Sequence, residues 1–155
     1  MGEEVIASRN GRFDFLEHTS DIYVRAYGKD ILELFENSGL ALFDSMTNID
    51  HLRPAVEKRL EVDGFDMENL LYKWLESLLL LYYSEKLMCG SISVEELSIE
   101  RINEDLSYKL KARALCEEFN PLRHEARVEV KSPTYNLMRI LKQEDKWVAY
   151  FVLDI

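Results

Sequence analysis

Apolar and polar residues change period along the chain, and the period marks the elements. Phe13 and Phe15 begin a strand, Glu17 to Ser20 interrupts it, and Ile22, Val24 and Ala26 alternate with Tyr23, Arg25 and Tyr27 as a half-buried strand requires. Gly28 supplies a turn, and Asp30 followed by Glu33 has the spacing of an N-cap and its reciprocal carboxylate. Ile31, Leu34, Phe35, Leu42 and Met46 then make the apolar stripe of a helix closing near Thr47, with small Ser38 and Ala41 on the same face. Pro54 favours a connection, and Val56 to Phe65 reads as a less regular extended segment. Asp66 caps a second helix, in which Leu70, Leu71, Trp74, Leu75, Leu78, Leu79 and Tyr82 recur at three- and four-residue spacing from Met67 to about Lys86.

The second half is strand-rich. Ser91 to Arg101 and Leu106 to Cys116 alternate around the polar turn Asn103-Glu104-Asp105, which predicts a hairpin. Ala126 to Val130, Tyr135 to Leu141 and Trp147 to Leu153 give three more strand-like segments, the last two joined as a hairpin by Gln143 to Lys146. Two helices amid many strands predict an α+β sandwich with helices packed on mostly antiparallel sheet. At 155 residues the chain suits one domain, 1–155.

Composition narrows the function classes. With 47% hydrophobic and 31% charged residues the chain reads as a soluble globular protein, and its formal charge of −10 is opposite to the field of a general nucleic-acid clamp. Cys89 and Cys116 are too few and too far apart to suggest a disulfide framework or a four-ligand zinc site, so a reducing, cytoplasmic compartment is the simpler expectation. Met1-Gly2-Glu3-Glu4-Val5 has neither the basic start nor the apolar core of a secretion signal, and Ile6 breaks the common myristoylation pattern. Leu78 to Tyr83 is too short to span a bilayer. The six glycines are scattered, and neither a phosphate loop nor a Gly-x-Ser-x-Gly elbow occurs.

Candidate chemistry gathers near the two ends. Asp21 and Asp154 are oxygen donors, and a main-chain carboxylate at Ile155 adds another, a set suited to a hard divalent cation. Ordinary solvation or turn capping is the competing reading for Asp21, and a plain strand end for Asp154. His18 is suited to orienting Asp21 or meeting a phosphate, or else to a structural role; Glu17 is suited to a ligand role or to plain exposure. In Val130-Lys131-Ser132-Pro133-Thr134-Tyr135-Asn136, Lys131 is placed to reach a phosphate or an acidic partner surface, with a plain surface loop as the alternative.

The ordered set Phe15-Leu16-Glu17-His18-Thr19-Ser20-Asp21-Ile22, Leu34-Phe35-Glu36-Asn37, Leu70 to Leu75, Val130 to Tyr135 and terminal Leu153-Asp154-Ile155 closely resembles the archease family, activators of the RtcB-type RNA-splicing ligase. The resemblance runs over the whole chain after its first dozen residues. It implies a strand-helix-strand-strand core elaborated into a sandwich, with Asp21, Asp154 and the Ile155 carboxylate as ligands of a divalent cation: calcium first, with magnesium or manganese as alternatives. His18 and Lys131 match motif residues of the functional surface. Ser20 stands where the family pattern has alanine, and Ser132 to Asn136 departs from the usual Ala-x-Thr-Tyr-His. Asn136 hydrogen-bonds but does not titrate near neutral pH.

By that resemblance the chain is a non-catalytic partner that promotes guanylylation and multiple turnover of the ligase in tRNA splicing. It would meet tRNA and guanosine triphosphate only through the ligase, with no membrane involved. A metal-dependent phosphohydrolase, motivated by the acids and His18, and a chaperone-like structural protein are the competing expectations.

Overall fold

The computed structural model describes residues 3–155, so Met1 and Gly2, part of the start considered above for a targeting signal, lie outside the described residues. In chain order the elements are β1 (Val5–Arg9), β2 (Phe13–Leu16), β3 (Ile22–Gly28), α1 (Ile31–Met46), a 3-10 turn (Ile49–His51), β4 (Val56–Gly64), α2 (Met67–Glu85), β5 (Leu87–Ile102), β6 (Asp105–Glu118), β7 (Ser132–Lys142) and β8 (Trp147–Asp154). They form two antiparallel sheets, β1-β2-β3-β8-β7 and β4-β6-β5, with the helices packed on them as an α+β sandwich.

The helices form where local chemistry starts and stops them. Asp30 caps α1 by accepting from the Glu33 N–H, 2.8 Å, while the Glu33 side chain accepts from the Lys29 N–H, also 2.8 Å. The reciprocal carboxylate thus reaches one residue further back than the capping spacing predicts. Asp66 does the same for α2 through the Asn69 N–H at 2.7 Å, and Lys86 ends it in the left-handed region at φ 58°. Every residue of α1 from Leu34 to Met46 except Glu36 is buried. A single-faced stripe predicts less, but α1 has β3 and β8 on one side and β5 on the other. Gly39 permits that crowding, since a Cβ there would sit 2.7 Å from a Leu78 methyl and 2.8 Å from an Ile92 methyl. Trp74 of α2 is fully buried and donates its indole N–H to the Phe35 carbonyl, 2.8 Å.

Strand alternation in the five-stranded sheet separates two faces. Phe13, Val24, Ala26, Ala149, Phe151 and Leu153 point to the helices, whereas Leu16, Tyr23, Val148, Tyr150 and Val152 form a smaller buried cluster on the outer face. Asp14 on that outer face accepts from Ser8 (2.6 Å), Tyr27 (2.8 Å) and Arg25 (3.0 Å). Burial alone would raise its carboxyl, but these three donors outweigh burial and hold it below its ordinary value. Burial and the neighbouring Asp14 charge in turn push the Tyr27 phenol up to about 12.

Four expectations are corrected. Val56–Gly64 is a regular nine-residue strand, not a loose segment, because β6 pairs with it from Cys116 to Tyr108. Val5–Arg9, not anticipated, is an edge strand on β2. Ala126 to Val130 is not a strand: the Arg127 and Val128 N–H groups bond the Met46 and Ser45 carbonyls, at 3.0 and 3.3 Å, satisfying orphan acceptors of the last turn of α1. Cys89 and Cys116 are not free thiols but a disulfide, because β5 and β6 place them opposite each other despite 27 residues of separation.

Candidate metal-bearing contact site

The sheet brings the predicted acids to one end of the five-stranded sheet. β3 pairs with β8 up to Ile22 and Leu153, so Asp21, which directly precedes β3, and Asp154, which closes β8, fall at the next position of that register, at the same end of the sheet. Their position in the alternation puts both on the outer face, with Tyr23 and Val152. Both are partly exposed, and among the described residues neither side-chain carboxylate has a hydrogen-bond donor or a cation as partner. Like charges at neighbouring positions of a sheet repel. Ile155 follows Asp154 and is 36% exposed, so its main chain lies at the same end.

β7 flanks the pair on the other side. Ser132 pairs with Asp154, and the Lys131 N–H donates to the Asp154 carbonyl at 2.7 Å. Asp154 is thereby fixed between β3 and β7. The Lys131 residue itself is exposed and lines a groove of about 720 Å³ between α2, β4 and β7, with Lys73, Glu76, Leu80 and Tyr83. Its backbone is therefore bound to the acidic end, while the groove it lines runs along α2.

His18 lies edge-on to Tyr23, ring centroids 5.6 Å apart, on the same outer face as the carboxylates. Its Nδ1 is buried and has no hydrogen-bond partner among the described residues. Glu17 has an exposed side chain, and its N–H donates to the Glu4 carbonyl at 2.7 Å, which ties this loop to the N-terminal segment. No group of three or more His, Cys, Asp or Glu side chains placed to hold a metal occurs among the described residues. The oxygen donors that share this end are the side chains of Asp21 and Asp154 and the main chain of Ile155. That set suits an oxygen-seeking cation, with water completing its shell.

Two anchors of the 119–131 connection escaped the sequence reading. Asp44 is 2% exposed; Arg9 donates to it at 2.8 and 3.2 Å, and Arg127 approaches at 3.3 Å. Its partners are 35 and 83 residues away, so no local pattern reveals it. His124 is buried, its Nδ1 accepting from the Asn120 N–H and its Nε2 lying 2.9 Å from Glu117. With Nδ1 occupied as an acceptor, the neutral ring donates from Nε2 to Glu117. Burial, together with the charges of Arg123, Arg53 and His51, lowers its pKa. Glu117 opposes that shift, but a second ring proton would have to displace the Asn120 N–H, so the neutral form prevails.

These features define a class: an α+β sandwich carrying a carboxylate pair where its central strands meet one sheet end. The model of the Archease protein family matches residues 13–155. An archease of Thermococcus kodakarensis is 43% identical over 93% of this chain and 99% of its own length, and one of Sulfolobus acidocaldarius is 42% identical over the same shares. The solution structure of Methanobacterium thermoautotrophicum protein 1598 superposes with a TM-score of 0.75 at 33% identity, over 94% of this chain and 99% of that one. A Thermotoga maritima archease, described as a possible chaperone, shares the fold at TM-score 0.57 and 20% identity, over 90% of this chain and 94% of its own. The chain belongs to the archease family.

Proposed function

We propose that this chain is a metal-bearing, non-catalytic activator of an RtcB-type RNA-splicing ligase, promoting the ligase's guanylylation and its repeated turnover on tRNA ends. Family membership supports the partner. The observation that carries the metal reading is the pair Asp21 and Asp154 at one sheet end, two like charges without a cation from the described residues. A divalent cation bound there would offset their like charge and offer positive charge to a phosphate.

Asp21 and Asp154 hold the ion through side-chain oxygens, and the carboxylate of Ile155 completes the set where that residue closes the chain. Calcium suits an irregular oxygen set with several waters, and magnesium or manganese suits it with tighter geometry. Lys131 and His18 are contact residues: Lys131 as a point charge for phosphate or an acidic surface, His18 through an imidazole whose Nδ1 has no partner among the described residues. The covalent chemistry stays with the ligase.

The test combines this protein with its cognate ligase, manganese, guanosine triphosphate and a split RNA, and compares guanylylation and turnover with the ligase alone. Stimulation that is lost in Asp21→Asn supports the reading, and unchanged ligase activity in the presence of folded, metal-loaded protein sinks it. Hydrolysis of a phosphate ester by the isolated protein, abolished by the same substitution, would instead favour the phosphohydrolase. An Asp21→Asn protein that binds no metal yet stimulates fully would favour the chaperone-like role.

A further inference from the structure

β7 breaks its pairing at one place. Thr134 faces Val152 and Arg139 faces Tyr150, so residues 135 to 138 of β7 stand against Phe151 alone. At this bulge Leu137 adopts φ 62°, a left-handed conformation that costs a branched side chain free energy and that glycine or asparagine would accept far more readily. Leu137 is 47% exposed and is not among the residues packed on the core, whereas its neighbours Met138 and Ile140 are. The fold gains little from a leucine there.

The residues around it are held in place. The Tyr135 ring stacks on Tyr72 of α2, centroids 4.4 Å apart and planes 8° from parallel, yet Tyr135 remains 51% exposed. Asn69 donates to the Tyr135 hydroxyl at 2.7 Å, and its carbonyl accepts from the N–H of Phe65, which is 70% exposed. The Asn136 N–H bonds the Thr134 hydroxyl at 3.1 Å, closing the turn. The strained β7 backbone therefore displays a pinned tyrosine and an exposed leucine, with the exposed Phe65 tied to Tyr135 through Asn69, and the ordering cost of Tyr135 and of the bulge is already met in the free protein.

We propose that this β7 knuckle, Tyr135 and Leu137 with Phe65 beside them, is an anchor that inserts into a neutral, apolar depression on a protein partner. Charge selects the class of partner. Tyr135, Asn136, Leu137, Phe65, Asn69 and Tyr72 carry no charge, in a chain whose formal charge is −10, so the knuckle offers nothing that neutralises phosphates. A tyrosine held rigid at the surface is the kind of side chain that a protein interface uses as its energetic centre, and Leu137 and Phe65 add exposed apolar area around it. Position puts the knuckle at the same sheet edge as the acidic end: Ser132, three residues before Tyr135, pairs with Asp154, so the knuckle begins roughly 10 Å along the edge strand β7 from Asp154, with Tyr135 on the α2 side and Asp154 on the outer face, both within reach of a partner that grips this edge. The identity of that partner rests on the activator reading; the knuckle's role as an anchor rests on its own geometry.

The test uses the full chain, its Leu137→Gly variant and its Tyr135→Ser variant, titrated against the cognate ligase. Leu137→Gly should unfold at the same or a higher temperature, because its strain is relieved. It should bind manganese as the native chain does, and bind the ligase at least 10-fold more weakly. Tyr135→Ser should weaken ligase binding similarly. A Leu137→Gly variant that binds the ligase as tightly as the native chain overturns the anchor while leaving the activator reading intact. A folded, metal-loaded native chain that does not bind the ligase overturns that reading and the partner named here. Self-association of the native chain, or its binding of single-stranded RNA, lost in Leu137→Gly while ligase binding persists, overturns the proposal in favour of a second copy or RNA.

Discussion

Cys89 on β5 and Cys116 on β6 stand directly opposite each other, fully buried, and their sulfurs are bonded. The link closes a sequence separation of 27 residues that contains the β5–β6 turn and all but the outermost residues of the two strands. Restricting the unfolded chain over a loop of that size stabilises the fold by about 3.5 kcal/mol at 25 °C in the chain-entropy account. Urea unfolding with and without reductant checks this: the reduced protein should unfold at lower denaturant, and coincident midpoints would show that the bond adds no stability.

Asp21 and Asp154 are the two acids of the proposed metal site, brought to one sheet end by the β3–β8 register. Asp21→Asn and Asp154→Asn should each leave the metal-free protein as stable as the native one or more stable, by up to about 1 kcal/mol. On the metal-bearing reading, each should abolish most of the stabilisation expected from a divalent cation, about 2.7 kcal/mol at 100 times its dissociation constant. Thermal unfolding across a calcium or manganese series reads both effects. Where Ile155 closes the chain, adding residues after it would move its main-chain carboxylate and should weaken metal binding without lowering metal-free stability.

Asp14 sits under Ser8, Arg25 and Tyr27, and its pKa is lowered by their hydrogen bonds against the opposing effect of burial. A carboxylate whose folded pKa is depressed contributes stability that is fully present above its unfolded pKa of about 3.9 and is lost as pH falls through the folded value. Asp14→Asn should cost about 1.5–3 kcal/mol at pH 7, the range for hydrogen bonds to a charged group. It should also flatten the acid limb of the stability profile. Denaturant unfolding between pH 2 and pH 7 measures both, on the order of the range where carboxylates titrate.

His124 is held neutral, and its sign is worked out the same way. Its folded pKa is lowered, so the unfolded chain takes up the proton first as pH falls. The contribution of the neutral ring is complete above about 6.5 and is lost as pH drops through the folded value. Protonation breaks the Asn120 N–H bond and frees the 119–131 connection, whose other anchor is Arg127 on Asp44. Limited proteolysis at Arg123 should accelerate below about pH 6, where the imidazole titrates. In His124→Asn that acceleration should vanish, and persistence of the same pH dependence would assign it to another group.

Much of the fold is legible in the sequence because its signals are local. The caps at Asp30 and Asp66, the three- and four-residue spacing in α2 and the alternation in Ile22 to Tyr27 each depend on neighbours within a few residues. Val56 to Gly64 looked irregular because the strand carries polar residues on its exposed positions, and only its nine-residue register with β6 makes it regular. Ala126 to Val130 alternates like a strand, but its N–H groups answer carbonyls of α1, a demand that arises more than 80 residues earlier, as the 83-residue reach of Arg127 to Asp44 illustrates.

The sequence by itself determined the two helices and the strand-rich remainder and singled out Asp21 and Asp154 as candidate acids, since side-chain type and short-range period suffice for these. Tertiary structure alone decided that Asp21 comes to the same sheet end as Asp154, that Lys131 lines the groove beside α2, that Cys89 meets Cys116 and that Leu137 is strained outward. Those facts depend on strand register and on which sheet edge meets which helix. A shift of one residue in register sends a side chain to the opposite face, and the register is set by packing around α1 summed over the whole core.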